Sequence, residues 1–172
     1  AGQIRKGLDP VRAGTERIAA ITKELRTFSR SSAEDPSCVD VGSVIESVPK
    51  LMRKELEARA RLEVTLTKTA PVLANASRLV QVIMNLLVNA LHALPDENTE
   101  DNVIWIRTRN EGTNVVIEVA DSGPGVPLED RERIFEPFVT TKGIGEGVGL
   151  GLFVCRNIVH GFSGIVTVGD RP

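Results

Sequence analysis

The sequence predicts an α+β fold in which helices pack on one face of a mixed β-sheet. Segments with helical periodicity and segments of alternating polarity follow one another in the order helix, helix, strand, helix, hairpin, loop, helix, strand. This order is typical of a helical layer on a sheet. Hydrophobic residues make up 41% of the 172 residues and aromatic residues only 3%, so the core must be built from aliphatic side chains.

The first 36 residues are predicted to form a unit of their own. Asp9 and Pro10 are a typical N-cap and first-position pair for a helix over 11–30. Its apolar residues follow a narrow, seven-residue repeat: Val11, Ile18, Ile21, Leu25 and Phe28. Such a seam favours a partner helix, as in a coiled coil, over the alternative of an amphipathic helix lying on its own domain. A polar linker over 31–37 follows, so we divide the chain into 1–36 and a domain at 37–172.

The domain is predicted to open with a helix, a strand and a short extended segment. The helix covers 43–60, with Ser43 and Glu46 as a capping box and Pro49 as a kink or a delayed start. Residues 61–69 alternate between apolar and polar, which predicts a half-buried strand. Residues 71–74 are extended and lead into the central helix.

The central helix is predicted over 77–94, with Ser77 as its N-cap and Pro95 beyond its end. It is apolar almost all round, which indicates a buried helix. Its polar residues after the first turn are Gln81, Asn85, Asn89 and His92. Because about 100° separates successive residues, these four fall within an arc of roughly 80°. A buried amide without a partner costs about 1–3 kcal/mol, so this stripe must face something polar.

The C-terminal part is predicted to contain a hairpin, a long loop, a helix and a strand. Strands over 103–108 and 115–120 flank a Glu-Gly-Thr-Asn turn. An irregular stretch of about 25 residues follows, and such a stretch within a domain indicates a lid or binding segment. Glycines at every second position precede a helix over 152–160, which Gly161 ends. A last strand begins at 165–168.

Composition excludes several classes of function. The net charge is −2, no basic tract stands out, and aromatic residues are few, so nucleic-acid binding is excluded. Cys38 and Cys155 are isolated, which favours two ordinary thiols in a reducing cytosol. No apolar run reaches the roughly 18 residues of a membrane span. We therefore expect a cytoplasmic domain without membrane contact, cut from a longer protein whose anchoring the sequence does not reveal.

Four features carry chemistry. Asn85 and Asn89 lie one helical turn apart, and their amide oxygens are suitable ligands for Mg²⁺. The stretch 121–125, DSGPG, offers a carboxylate to an exocyclic amine beside glycines that allow close approach of a flat ring. In 135–142, two Phe residues are expected to anchor a loop that carries Lys142. Finally, GVGLGL at 147–152 runs into a helix, where exposed amides form an anion site.

Each feature alone is weak. A glycine-rich stretch before a helix is common, and this one lacks the Lys and hydroxyl residue that a P-loop requires after its last glycine. It also lacks the preceding strand of a dinucleotide fingerprint. The order and spacing of all four features together make coincidence untenable.

Taken together, the four motifs resemble a known family. NLLVNA at 85–90, DSGPG at 121–125, FEPF at 135–138 and GVGLGL at 147–152 are similar to the N, G1, F and G2 boxes of sensor histidine kinases, nitrogen-regulation type. The resemblance implies the Bergerat ATP-binding fold of the GHKL superfamily, with ATP between the N-box helix and a lid. It also implies transfer of the ATP γ-phosphoryl group to a histidine and relay to an aspartate of a response-regulator receiver domain.

The resemblance also implies residue roles. Asn89 matches the Mg²⁺ ligand, Asp121 the residue that reads adenine, and Asn85 and Lys142 catalytic residues near the phosphates. Residues 1–36 resemble the second helix of a dimerisation hairpin, so the parent protein is expected to be a homodimer. The implied ATP-binding set is Asn85, Asn89, His92, Asp121, Gly123, Gly125, Val126, Thr141, Lys142, Gly147, Val148, Gly149, Leu150, Gly151 and Leu152.

Several positions depart from the family pattern. Hydrolytic branches carry a Glu where this chain has Asn85, so an ATP-hydrolysing conformational switch is the less favoured alternative. A non-catalytic nucleotide-sensing or dimerisation module is the second alternative. The phosphoacceptor histidine is expected on a helix outside this sequence. The roles of Gln81 and His92, between site lining and structure, stay open, as does that of Asn75, where an Asp is common.

Overall fold

The architecture is that of helices layered on a mixed sheet. In a computed structural model of the chain, residues 35–97, 99–140 and 148–170 are described. The helices are α1 (Val41–Leu51), α2 (Arg53–Arg59), α3 (Ala76–Ala93) and α4 (Gly151–Gly161), and the strands are β1 (Ser37–Val39), β2 (Arg61–Thr65), β3 (Val72–Ala74), β4 (Val103–Glu111) and β5 (Asn114–Asp121). Short 3₁₀ turns cover Thr99–Asp101, Leu128–Asp130 and Arg133–Phe135. The predicted helix over 11–30 lies outside the described residues.

The main sheet has the order β2-β4-β5. β2 runs parallel to β4, and β4 and β5 form the predicted antiparallel hairpin, in which Glu111 pairs with Asn114 across the turn. Helices α1 and α3 cover one face. The opposite face carries ion pairs such as Arg107–Glu118, so the predicted α+β class with helices on one face is confirmed.

A second, two-stranded sheet joins β1 to β3. The prediction that Ser37 ends a linker was therefore wrong, because Ser37 begins a strand and pairs with Ala74. A strand of three residues is too short to show alternating polarity, and its existence depends on pairing with β3, which lies far along the chain.

The first predicted helix is two helices with a different cap. The Asp40 carboxylate accepts from the Gly42 N–H at 3.1 Å and from the Ser43 hydroxyl at 2.6 Å. Asp40 is thus the N-cap, and the predicted Ser43–Glu46 capping box was wrong. The helix breaks at Met52, whose N–H donates to the carbonyl of Pro49 at 3.2 Å. Pro49 lacks an N–H, which weakens the last turn of α1.

The N-cap of α3 is Asn75, two residues before the predicted Ser77. The Asn75 Oδ1 atom accepts from the N–H of Arg78 at 2.9 Å, and the residue is 6% exposed. An amide oxygen satisfies the free N–H groups of a first turn as a carboxylate would. Asn75, uninterpreted in the sequence, is therefore a structural cap.

The main core lies between the helices and the sheet. It is aliphatic, as the composition predicts, and its fully buried large side chains are Ile45, Ile83, Leu87, Ile104 and Ile106. A smaller cluster between α3 and α4 contains Val82, Val154, Cys155 and Ile158. This second cluster fixes the position of α4 on the flank of the central helix.

The last predicted strand was wrong. Residues 165–168 keep an alternating pattern, with Ile165 exposed and Val166 half-buried, but no strand is assigned there. Neither sheet among the described residues includes this segment, and polarity alone does not create a ladder partner. None of the helices in the described ranges combines the length and apolarity needed to cross a bilayer.

Candidate functional site

The polar stripe of α3 faces the start of α4. Gln81, Asn85 and Asn89 are half-buried, and His92 in the last turn is exposed. The Asn85 Nδ2 atom donates to the carbonyl oxygen of Gly151 at 3.3 Å. The predicted polar surroundings of the stripe therefore include the first residue of the glycine-preceded helix, 66 residues further along the chain.

Asn89 has an unsatisfied amide. Its Nδ2 atom is buried and makes no hydrogen bond to any residue in the described ranges. A Cβ atom at Gly151 would lie 3.6 Å from that nitrogen, so the amide rests against the first turn of α4. An unpaired buried amide is costly, which indicates that this position is built for a polar group additional to the described residues.

The first turn of α4 supplies the opposite side of the site. Its cap residue, Leu150, makes no side-chain hydrogen bond, and the turn contains no acidic residue. The N–H groups at a helix start are donors, and the helix dipole adds positive potential. Such a helix end, with a neutral amide oxygen nearby, fits a phosphate-bound Mg²⁺, which takes few protein ligands.

The loop after β5 begins beside the end of α3. The Asp121 Oδ1 atom accepts from the N–H of Gly123 at 2.9 Å. A Cβ at Gly123 would lie 2.7 Å from that oxygen and 2.8 Å from the carbonyl of Ala93. Only glycine fits between them, so the backbone of this loop lies directly on the central helix.

Ser122 and Arg131 hold this loop, and sequence reasoning missed both. The Ser122 hydroxyl accepts from the N–H of Val103 at 3.0 Å, which ties the loop to β4. Arg131 donates from Nε to the carbonyl of Val126 at 3.2 Å and pairs with Asp170. Ser122 lies inside the DSGPG motif, and its hydroxyl group could have been identified in the sequence as a partner for a backbone group. Nothing in the sequence singles out Arg131, because its partners are set by tertiary structure.

A second close approach joins the FEPF motif to the glycine series. The N–H of Phe138 donates to the carbonyl of Gly149 at 2.9 Å. Gly149 has a φ of 73°, and a Cβ there would lie 2.6 Å from the carbonyl oxygen of Val139. The left-handed backbone and the lack of space both require glycine at this position. The FEPF motif and Gly149 are therefore held against each other.

The two Phe residues of FEPF differ. Phe135 is 7% exposed, and the Arg156 guanidinium lies 5.8 Å from its ring centroid. Phe138 is 63% exposed and has a φ of 68°. The expectation that both rings anchor a loop was wrong for Phe138, because its side chain points to the surface and its backbone makes the contact.

The remaining predicted site residues fall into three groups. Gly125 is exposed and Val126 half-buried in the loop after β5. Thr141, Lys142 and Gly147 lie outside the described residues. Val148 and Leu150 are each 6% exposed and Leu152 is half-buried, so the first two can offer a ligand only their backbone groups.

Cys155 lies in the small cluster between α3 and α4, and its thiol is unreactive. It is fully buried, and its thiol is 3.7 Å from the carbonyl oxygen of Val82. Burial raises the pKa of the thiol to about 12, against a smaller lowering by the Asn85 amide. The reactive thiolate is therefore absent at neutral pH, in agreement with the prediction of an ordinary thiol.

Comparisons with known proteins agree with this geometry. Residues 74–172 match the model of the family described as histidine kinase-, DNA gyrase B-, and HSP90-like ATPase. The chain is 37% identical over 161 residues to the C4-dicarboxylate transport sensor protein DctB of Rhizobium meliloti (strain 1021), which covers 92% of this chain and 25% of DctB. The chain thus spans about a quarter of that relative's length.

Two solved histidine kinase structures are similar. The catalytic domain of histidine kinase ThkA superposes with a TM-score of 0.70 at 30% identity, over 81% of this chain and 90% of that one. ThkA in complex with the response regulator protein TrrA gives 0.69 at 25% identity, over 98% of this chain and 48% of ThkA.

Full-length ShkA in complex with AMPPNP gives a TM-score of 0.74 at 26% identity, over 99% of this chain and 36% of ShkA. The family model covers more than half of the chain, and the relatives include a sensor protein and a histidine kinase. The chain therefore belongs to the histidine kinase-, DNA gyrase B- and HSP90-like ATPase family, in its sensor histidine kinase branch.

Proposed function

We propose that this chain is the ATP-binding catalytic domain of a sensor histidine kinase and transfers the γ-phosphoryl group of ATP to a histidine. The observation that carries the proposal is the unsatisfied amide of Asn89 against the first turn of α4. The N–H donors of the helix start and the free Nδ2 donor suit the oxygen atoms of a triphosphate, and the Oδ1 atom of the same amide suits the Mg²⁺ that such a triphosphate carries.

Different residues of the site bind the metal ion, the phosphates and the base of the nucleotide. Asn89 contributes its amide oxygen to Mg²⁺, which would neutralise charge on the phosphates. The N–H groups of the first turn of α4 and the preceding glycines hold the phosphate oxygens. Lys142, with Thr141, approaches the phosphates from segment 141–147. At the other end, Asp121 accepts a hydrogen bond from the adenine amine, and Gly123, Gly125 and Val126 border the base.

Phosphoryl transfer is favoured over hydrolysis by Asn85. An amide cannot take a proton from water, and the Asn85 amide already donates to the carbonyl of Gly151. Phosphoryl transfer needs positioning and charge neutralisation more than a covalent role for the protein. The site therefore suits a reaction in which the attacking nucleophile is a histidine brought to the phosphate.

The acceptor and partners lie outside the described residues. We propose that residues 1–36 are the second helix of a dimerisation hairpin in a homodimeric parent, which supplies the acceptor histidine. ThkA in complex with TrrA supports a response-regulator receiver domain as the next recipient of the phosphoryl group. We propose a cytoplasmic location for this domain and no role in nucleic-acid binding.

Calorimetric titration with Mg-ATP tests the binding site. Asn89→Ala and Asp121→Ala should each weaken binding at least tenfold, about 1.4 kcal/mol, because one loses the metal ligand and the other the acceptor for the base. Val88→Ala is the matched control, since Val88 precedes Asn89 and is exposed. Binding that is absent in the parent chain, or unchanged in both variants, would overturn the assignment.

A second experiment tests the reaction. The chain is incubated with ATP labelled at the γ-phosphate and with the histidine-bearing hairpin of its parent protein. We expect an acid-labile label on the hairpin that disappears with Asn89→Ala. Rapid release of free phosphate without any labelled hairpin would instead favour a hydrolytic switch.

A further inference from the structure

Arg131 joins two segments that border the nucleotide site. Its Nε atom donates to the carbonyl of Val126 at 3.2 Å, and its Nη2 atom pairs with the Asp170 carboxylate. The Arg131 side chain is 20% exposed, whereas that of Asp170 is 84% exposed. A mostly buried guanidinium therefore connects the loop after β5 to the segment after α4.

The loop after β5 is held unevenly without this contact. Its beginning is tied to β4 by Ser122 and to Asp121 through Gly123. Within residues 35–97, 99–140 and 148–170, the hydrogen bond from Arg131 is the one that reaches residues 124–126. The hydrogen bonding of the far end of the loop therefore depends on one side chain.

The two contacts of Arg131 differ in how much free energy they contribute. An ion pair with an exposed carboxylate contributes little by itself. The hydrogen bond from a charged donor to a partly buried carbonyl is stronger, and leaving that carbonyl unpaired carries a desolvation cost. Asp170 acts mainly by holding the planar guanidinium in the orientation that directs Nε at Val126.

We propose that Arg131 is a positioning residue for the base-binding loop, which it holds in the shape that accepts the adenine end of ATP. The proposal rests on the proposed function and adds a residue to it. Within the described residues, the polar partners of Arg131 are Val126 and Asp170, and they do not include Asn89 or the first turn of α4, which would hold the phosphates. Loss of Arg131 should therefore weaken recognition of the base and leave recognition of the phosphates intact.

Two ligands separate these effects, because inorganic tripolyphosphate carries the phosphates without the base. With the full chain, calorimetry should show that Arg131→Gln weakens binding of Mg-ATP roughly tenfold, as for one charge-assisted hydrogen bond. Binding of Mg-tripolyphosphate should change less than twofold. Arg133→Gln is the matched control, because Arg133 is exposed and pairs with Asp130 rather than with the loop.

Asp170→Asn provides an independent variant that keeps Arg131. It should weaken Mg-ATP binding about threefold, and the double variant should resemble Arg131→Gln alone, since both changes remove the same contact. Arg131→Lys should restore binding in part, because a lysine can reach one partner but not both. If Arg131→Gln does not fold, Asp170→Asn carries the test with the same two ligands.

Equal weakening for both ligands, or no weakening of Mg-ATP binding in Arg131→Gln and Asp170→Asn, would overturn the role of Arg131. The proposed function fails separately, if Asn89→Ala and Asp121→Ala bind Mg-ATP like the parent chain. A normal response of those two variants with an unaffected Arg131→Gln removes only the positioning role.

Discussion

The two sides of α3 differ in how completely they are satisfied. Towards the sheet, Ile83 and Leu87 are fully buried in an aliphatic core. Towards α4, the same helix presents Asn85, which donates to Gly151, and Asn89, whose amide nitrogen has no partner in the part of the chain that the structure describes. One helix thus carries a finished core on one side and an incomplete polar surface on the other.

Among the described residues, the buried side-chain nitrogen atoms without a hydrogen bond are Arg59 Nε and Asn89 Nδ2, and the amide of Asn102 contrasts with both. Asn102 is 2% exposed, and its Nδ2 atom donates to the carbonyls of Arg59 at 3.0 Å and Pro95 at 2.9 Å. A buried amide on the core side is therefore fully used, as buried polar groups normally are. The contrast with Asn89 is the one expected if the sheet side of α3 supplies stability and the α4 side binds the proposed nucleotide.

The largest effect on the free energy of unfolding is expected for a substitution on the sheet side of α3. Leu87→Ala should lower the free energy of unfolding by about 2–5 kcal/mol, because it leaves a cavity in a fully buried site. Urea unfolding followed by circular dichroism measures this. Val88→Ala, on the exposed side, should change the value by less than about 0.5 kcal/mol. A loss below about 1 kcal/mol for Leu87→Ala would contradict the assignment of stability to the sheet side of α3.

An effect of intermediate size on the free energy of unfolding, which depends on pH, is expected for Cys155 in the small cluster between α3 and α4. Its pKa is raised by burial to about 12 from an ordinary value of 9.0. The stability linked to the protonated thiol is complete below pH 9 and is lost as the pH rises from 9 towards 12. At pH 10 the parent chain should have lost about 1.4 kcal/mol more than Cys155→Ala, relative to pH 8.

Urea unfolding of both proteins at pH 8 and pH 10 measures this difference. Cys38→Ala is the control, because Cys38 is exposed and its loss should leave the alkaline destabilisation in place. Parallel pH profiles for the parent and Cys155→Ala would show that the thiol is not protected by burial.

The smallest effect on stability is expected at Asn89. Asn89→Ala removes a buried donor that makes no hydrogen bond, so the free energy of unfolding should rise by up to about 1 kcal/mol. Asn85→Ala, one turn earlier, removes the bond to Gly151 and should lower it by about 1 kcal/mol. Thermal and urea unfolding of the two variants test whether the free energy of unfolding changes in opposite directions. A loss of stability in Asn89→Ala would assign it a structural role.

Local signals predicted most elements and failed where the partner is distant. The β4–β5 hairpin and α4 follow from a turn sequence and a terminal glycine, which act over a few residues. The caps at Asp40 and Asn75 were misplaced by two or three residues, because Ser43 and Ser77 are equally good capping types. The strand β1 and the absence of a strand at 165–168 depend on pairing, which residue pattern does not report.

The site shows the same division. The spacing of Asn85 and Asn89 and the glycines before α4 were visible in the sequence, since residue type and helical period determine which side chains share a face. Their meeting was decided by the packing of Val82 against Cys155 and Ile158, which brings Gly151 to Asn85. Arg131 belongs wholly to the tertiary structure, because a guanidinium finds its carbonyl and carboxylate only after the chain has folded.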